Sequence, residues 1–206
     1  MKKIILILLV FGSLSLFAQN DDQLIDFGVT AGLNYNSNGI LNITEGLNNA
    51  SNEISSEKRT GFHAGIYLRA KLGGIYVRPE LVYTHTKSGY GPDTFYQSKL
   101  EMPVLIGFNI IKPLSFFAGP SFQYAFKNGF SDFDSDEFKM DKDIAVNAQF
   151  GLALQLGQSL RLDAKYETGV YDNLASFKNS KPLDGITYVV NTKPNQLILS
   201  ISFKLN

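Results

Sequence analysis

Residues 62–81 read Phe62-His63-Ala64-Gly65-Ile66-Tyr67-Leu68-Arg69-Ala70-Lys71-Leu72-Gly73-Gly74-Ile75-Tyr76-Val77-Arg78-Pro79-Glu80-Leu81. Phe62, Ala64, Ile66, Leu68, Ala70 and Leu72 alternate with His63, Gly65, Tyr67, Arg69 and Lys71. After Gly73-Gly74, Ile75, Val77, Pro79 and Leu81 alternate with Tyr76, Arg78 and Glu80. Period-two alternation over about ten residues marks a strand with two unlike faces, and a Gly-Gly step between two such runs marks a tight reversal. Every charge in the stretch falls on one face. The other face is apolar throughout.

The same alternation recurs along Phe27–Tyr35, Leu100–Phe108, Leu114–Phe126, Ile144–Leu156, Leu160–Val170 and Leu197–Leu205, eight runs in all. Nothing competes at a helical period. The apolar faces carry no charge. The opposite faces carry Arg69, Lys71, Arg78, Glu80, Lys99, Glu101, Asp143, Arg161, Asp163, Lys165, Glu167 and Lys204.

Alternation alone does not say which face points outward. A soluble barrel keeps its apolar face inside, and a transmembrane barrel inverts this. Three features decide. The polar faces hold Gly28, Gly32, Gly61, Gly65, Gly107, Gly119, Gly151 and Gly169, which suits an eight-stranded interior only just wide enough for side chains. The many large apolar residues would overfill that interior. The connections also alternate in length. Gly73-Gly74, Ile110 to Pro113 and Gly157-Gln158 are tight, whereas 37–59, 86–98, 127–142 and 172–195 are long and polar. The sequence therefore predicts an all-β fold: an eight-stranded antiparallel up-and-down transmembrane β-barrel with short periplasmic turns and long extracellular loops. Tyr35, Phe62, Tyr83, Tyr124 and Phe126 at the loop ends, and Phe27, Phe108, Phe116 and Phe203 toward the turn ends, fall where aromatic girdles belong.

Lys2 and Lys3 followed by the apolar run Ile4 to Phe17 and a small residue at Ala18 predict a secretory signal peptide over residues 1–18. Residues 19–25 form a short leader, and the barrel domain occupies 26–206. The expected location is the outer membrane of a Gram-negative envelope.

Over the 206 residues, 19 basic side chains balance 19 acidic ones, and no basic excess exists to neutralise phosphates. Nucleic acid is excluded as a partner. With no cysteine there is no disulfide framework, thiolate metal site, thiol nucleophile or acylated lipoprotein cysteine. The mean hydropathy of −0.04 averages two faces that are each extreme.

No cofactor, metal or catalytic constellation is expected. The acidic loop with Asp132, Asp134, Asp136, Glu137, Asp141 and Asp143 lacks the glycine and terminal glutamate of an EF-hand and reads as a solvated surface. The stretch Asn42 to Ala50 invites a short helical turn. His63 is expected in the lumen near the loop-end rim, and His85 near the start of the second loop with Asp93 eight residues on. Neither has an assembled partner set, so a barrel enzyme of the lipid acyltransferase or protease type is the lesser alternative. The lumen charges Arg69, Lys71, Arg78, Glu80, Lys99, Glu101, Arg161, Asp163, Lys165 and Glu167 are expected to form a structural ion-pair network. Pro103 lacks a ladder donor in mid-strand, and the sequence predicts a bulge there that brings Glu101 to a neighbouring cation.

Lys99-Leu100-Glu101-Met102-Pro103-Val104-Leu105 resembles the Leu-Glu-Ile-Pro-Leu-Leu strand of the PorT-like outer-membrane β-barrel family. Phe116-Phe117-Ala118-Gly119-Pro120 resembles its aromatic-Ala-Gly-Pro segment, and Leu162 to Gly169 its Arg-Tyr-x-x-Gly strand, in the same order. The resemblance implies an eight-stranded outer-membrane barrel. For the family's namesake it also implies a part in protein secretion to the cell surface or in gliding. The sequence supports a non-enzymatic structural or binding barrel acting through its extracellular loops or envelope partners, with a PorT-like accessory component of a secretion or gliding machinery as the alternative. Outer-membrane lipid, the barrel-insertion machinery and envelope or secretion-system proteins are the partners this implies.

Overall fold

The computed structural model describes residues 24–37, 40–44, 51–55, 57–90, 93–130, 138–140, 144–170, 174–178, 187–191 and 195–206. The expected signal peptide, most of the leader, residues 45–50 and the six acidic residues from Asp132 to Asp143 lie outside them. In chain order the strands are β1 (Ile25–Ser37), β2 (Ile40–Thr44), β3 (Ser51–Ser55), β4 (Glu57–Leu72), β5 (Ile75–Tyr90), β6 (Asp93–Ile111), β7 (Leu114–Phe130), β8 (Phe138–Met140), β9 (Ile144–Leu156), β10 (Leu160–Gly169), β11 (Leu174–Lys178), β12 (Thr187–Asn191) and β13 (Asn195–Lys204).

Eight of these, β1, β4, β5, β6, β7, β9, β10 and β13, close an antiparallel barrel in chain order, with β13 returning to pair with β1. Gly73 and Gly157 take φ of +68° and +66° in the tight turns, a conformation that a Cβ would strain.

The faces fall as the alternation requires, inside out. Leu33, Ile106, Leu199 and Ile201 are 53–57% exposed on the outer wall, while Asp26, Asn34, Thr84 and Glu167 are fully buried within. A wall of exposed aliphatics around buried polar groups is stable only where lipid, not water, meets the outside. Phe62, Tyr83 and Phe126 form a run of tilted ring contacts at the loop end of the outer wall, with centroids 6.3 and 6.0 Å apart. Phe108 and Phe116 meet toward the turn end at 5.7 Å.

The long connections are themselves partly strand. β2 and β3 pair as a hairpin, β2 pairs with β12, β12 with β11, and β11 with β8, giving a five-stranded sheet drawn from three connections. Asn42, Ile43 and Thr44 belong to β2 rather than to a helical turn, because the ladder to Val189, Tyr188 and Thr187 takes up their backbone groups.

Pro103 marks no bulge. Pro79 and Val82 face Val104 and Glu101 in one register, and Pro103 and Ile106 face Ser121 and Ala118 in another, each unshifted. A missing donor removes a hydrogen bond without inserting a residue. The bulge nearest Glu101 is in β7, where Phe126 is the extra residue: Lys99 faces Ala125 and Ser98 faces Lys127, with further register shifts between Asn109 and Ile111 and between Lys58 and Phe62.

Four of the lumen glycines each face a ring across the strand boundary. Gly28 faces Tyr67, Gly32 faces His63, Gly107 faces Tyr76 and Gly151 faces Phe117. In each pair a Cβ on the glycine would strike the opposing ring. The ring lies on bare backbone, which is how aromatics fit into so narrow a barrel.

Candidate functional site

The polar lumen is the candidate site, and it is layered along the barrel axis. At the turn end, Asp26 is fully buried and receives three cations: Arg69 Nη2 at 2.5 Å, Lys71 Nζ at 3.0 Å and Lys204 Nζ at 3.1 Å. Asp26 has the same inward parity as Gly28 and Thr30. That signal was present in the sequence, but the residue stands one step before the first obvious alternating run.

The middle layer crosses the barrel. Arg78, 1% exposed, lies between Glu80 at 3.0 Å and Asp163 at 3.1 Å. Asp163 also holds Arg161 at 2.7 Å and accepts from the Ser202 hydroxyl, while Lys165 reaches Glu80 at 2.8 Å. The guanidinium groups lie over rings as well, Arg78 at 4.2 Å from the Tyr67 centroid and Arg161 at 5.0 Å from that of Tyr76, whose hydroxyl Arg161 also bonds. Stripping a charge of water costs several kcal/mol, which only multiple good contacts offset. Arg78, Arg161, Glu80 and Asp163 each have at least two here, and Lys165 has Glu80.

The layer nearer the loops is built differently. Lys99 pairs with Glu101 at 2.7 Å and stands 3.9 Å from Glu167. Glu167 is held mainly by amides: Gln123 Nε2 and Gln196 Nε2 donate at 2.6 Å and Asn147 Nδ2 at 3.2 Å to one oxygen, and Gln149 Nε2 donates to the other. Gln123 also donates to Glu101 at 3.0 Å, as does the Thr84 hydroxyl. The bulge beside Lys99 sits in this layer.

All ten charged residues singled out in the sequence thus point into the lumen, and the structure adds Asp26 as the shared partner of Arg69, Lys71 and Lys204. Asp143 lies outside the described residues.

His63 is not at the rim. It is 4% exposed and lies between β1 and β13, with Nδ1 2.6 Å from Asn34 Oδ1 and Nε2 2.9 Å from Ser200 Oγ. The cause is register, since His63 faces Gly32, which in turn faces Ser200 near the middle of both strands. With Oδ1 accepting, the proton belongs on Nδ1, and Nε2 accepts from Ser200. This is the order of a nucleophile, base and orienting group, yet Ser200 is also 4% exposed and Asn34 fully buried. A substrate would have to reach Ser200 Oγ past the packed lumen side chains, since all three residues are buried. His85 is on the outer wall, its ring 5.4 Å from Phe62 and 6.2 Å from Tyr96, and Nδ1 3.0 Å from Ser98 Oγ. Among the described residues no group of three or more His, Cys, Asp or Glu is placed to hold a metal ion.

Residues 17–175 match the family model described as outer membrane protein beta-barrel domain. Among solved structures, the outer membrane protein OprG of Pseudomonas aeruginosa is similar with a TM-score of 0.55 and 10% identity, over 88% of this chain and 96% of that one. The outer membrane protein AlkL gives a TM-score of 0.51 at 14% identity, over 92% and 95%. Neisserial surface protein A gives 0.50 at 14%, over 87% and 97%. At such identities the likeness is one of fold. No curated protein sequence matches the chain significantly.

Proposed function

The chain belongs to the outer membrane protein beta-barrel domain family, and from that premise we propose that it is a non-enzymatic barrel with a filled lumen that serves the envelope through a binding surface at its loop end. The observation carrying this reading is the burial of the lumen charges: Arg78 and Lys99 are 1% exposed and Glu167 is fully buried, each with partners. An eight-stranded interior is only wide enough to be packed, and ion pairs of this density leave no open path for solute. The Ser200–His63–Asn34 chain is part of the same packing. With the short turns in the periplasm, the five-stranded sheet built from β2, β3, β8, β11 and β12 stands outside the cell. Replacing residues 40–55 by a short turn removes β2 and β3 from it, and should abolish crosslinks to a surface partner in intact cells. In planar bilayers the purified barrel should give no conductance step of reproducible size. A reproducible step that vanishes when the lumen is filled would overturn the reading.

A second reading, an accessory component of a secretion or gliding machinery, is favoured by the PorT-like segments Leu100–Leu105 and Phe116–Pro120. Crosslinked cells should then yield a stoichiometric complex with other envelope proteins, and loss of the gene should impair secretion or gliding. An isolated barrel counts against it.

A further inference from the structure

The turn-end mouth of the barrel opens into a cavity of about 790 Å³ lined by Arg69, Lys71, Tyr76, Lys112, Arg161 and Lys204, among others. No acidic side chain lines it among the described residues. Asp26 lies behind the cations, fully buried, and serves Arg69, Lys71 and Lys204 at once. Three positive charges thus converge on one negative charge, and both ammonium groups sit on the same oxygen, Oδ1. Both lysines line the cavity, with side chains 42% exposed at Lys71 and 19% at Lys204. The next layer offers no relief. Arg78, Arg161 and Lys165 there share only Glu80 and Asp163. Elsewhere in the lumen carboxylates match or exceed their cations, as Glu101 and Glu167 do around Lys99. The positive excess is therefore concentrated at one end, in a concave space of the size that small ligands occupy.

We propose that this mouth binds a multiply charged oxyanion, a phosphate or clustered carboxylates, held by Lys71, Lys204 and Arg69. The two ammonium groups supply point charges and the Asn109 side-chain amide on the same wall a neutral donor, while Arg69, whose Nε and Nη2 bond Asp26 and whose Nη1 bonds Gln155, adds its positive charge. A free anion and a lipid headgroup phosphate present the same chemistry. The site is independent of any partner at the loop end, so it stands or falls apart from the role proposed above.

The test is calorimetric titration of the full barrel, in phosphatidylcholine nanodiscs, with inorganic pyrophosphate and with citrate. Saturable one-site binding is expected, weakened about tenfold or more in Lys71→Gln/Lys204→Gln, since each charge-assisted bond lost is worth at least that factor. It should also weaken when sodium chloride is raised from about 0.05 M to about 0.5 M. Asp26→Asn removes the internal competitor and should tighten binding. Lys87→Gln, at the loop end of β5 and outside this cavity, should change affinity less than about threefold, as a distant and screened charge. Nanodiscs containing phosphatidylglycerol separate the two sources. Suppressed pyrophosphate binding there identifies a headgroup as the occupant, and unchanged binding identifies a free anion, with either result upholding the site. Absence of saturable binding to a barrel that retains its folded gel mobility would overturn the proposal. So would an affinity unchanged in a folded Lys71→Gln/Lys204→Gln variant.

Discussion

The two halves of the lumen neutralise charge by different means. In the turn-end half, carboxylates meet cations: Asp163 holds Arg78 and Arg161, and Asp26 holds three partners. In the loop-end half Lys99 and Glu101 form a close pair, but Glu167 has four amide donors and its nearest cation stands 3.9 Å away. Removing one member of a buried pair strands its partner's full charge, whereas removing a charge from an amide cradle strands only dipoles. Equal burial thus does not mean equal sensitivity to substitution.

That contrast can be broken most directly at Asp163. Asp163→Asn leaves Arg78 and Arg161 sharing too little negative charge and should destabilise the barrel by about 3–5 kcal/mol, read as a fall in the heat-induced gel mobility transition. Glu167→Gln keeps the shape, keeps an acceptor for some of the amides and leaves Lys99 with Glu101. A smaller loss of about 1–3 kcal/mol is expected. If the two variants melt together, or Glu167→Gln melts first, the distinction between the halves is wrong. Tyr76→Phe sharpens the turn-end half further. It deletes the phenol that Arg161 bonds but leaves the ring beneath the guanidinium, and should cost about 1 kcal/mol. A loss as large as that of Asp163→Asn would mean the phenol, not the carboxylate, holds Arg161.

What the sequence revealed follows from where lipid touches the chain. Residues such as Leu160 to Glu167 must alternate because one face meets hydrocarbon, so strand identity and facing were readable there. β2, β3, β8, β11 and β12 lie in the connections beyond the alternating runs, and their backbone pairing left no period-two imprint. Partner choice was equally hidden. Arg78 and Asp163 are 85 residues apart, and only the stagger of strands on opposite walls of a closed barrel brings them together. The bulge at Phe126 was invisible for a related reason, since an extra residue shows itself against a partner strand and not along its own. His63 illustrates the same limit. Its inward parity was legible, but its height in the barrel is set by register with Gly32.

The glycine–aromatic pairs carry a consequence for how such a barrel drifts over generations. Gly107 and Tyr76 divide a fixed volume between two strands, because the atoms nearest a Cβ on Gly107 all belong to that ring. At Gly28 and Gly151, by contrast, the carbonyl oxygens of Phe203 and Ala164 stand closer than the ring and hold the glycine in place by themselves. Neither Gly107 nor Tyr76 is free to change alone, because enlarging the glycine strikes the ring and trimming the ring leaves a void. The unit of permissible change is then the pair. Relatives of this chain should trade bulk across that strand boundary, small for large, at both sites together, while the outer wall varies residue by residue among apolar types.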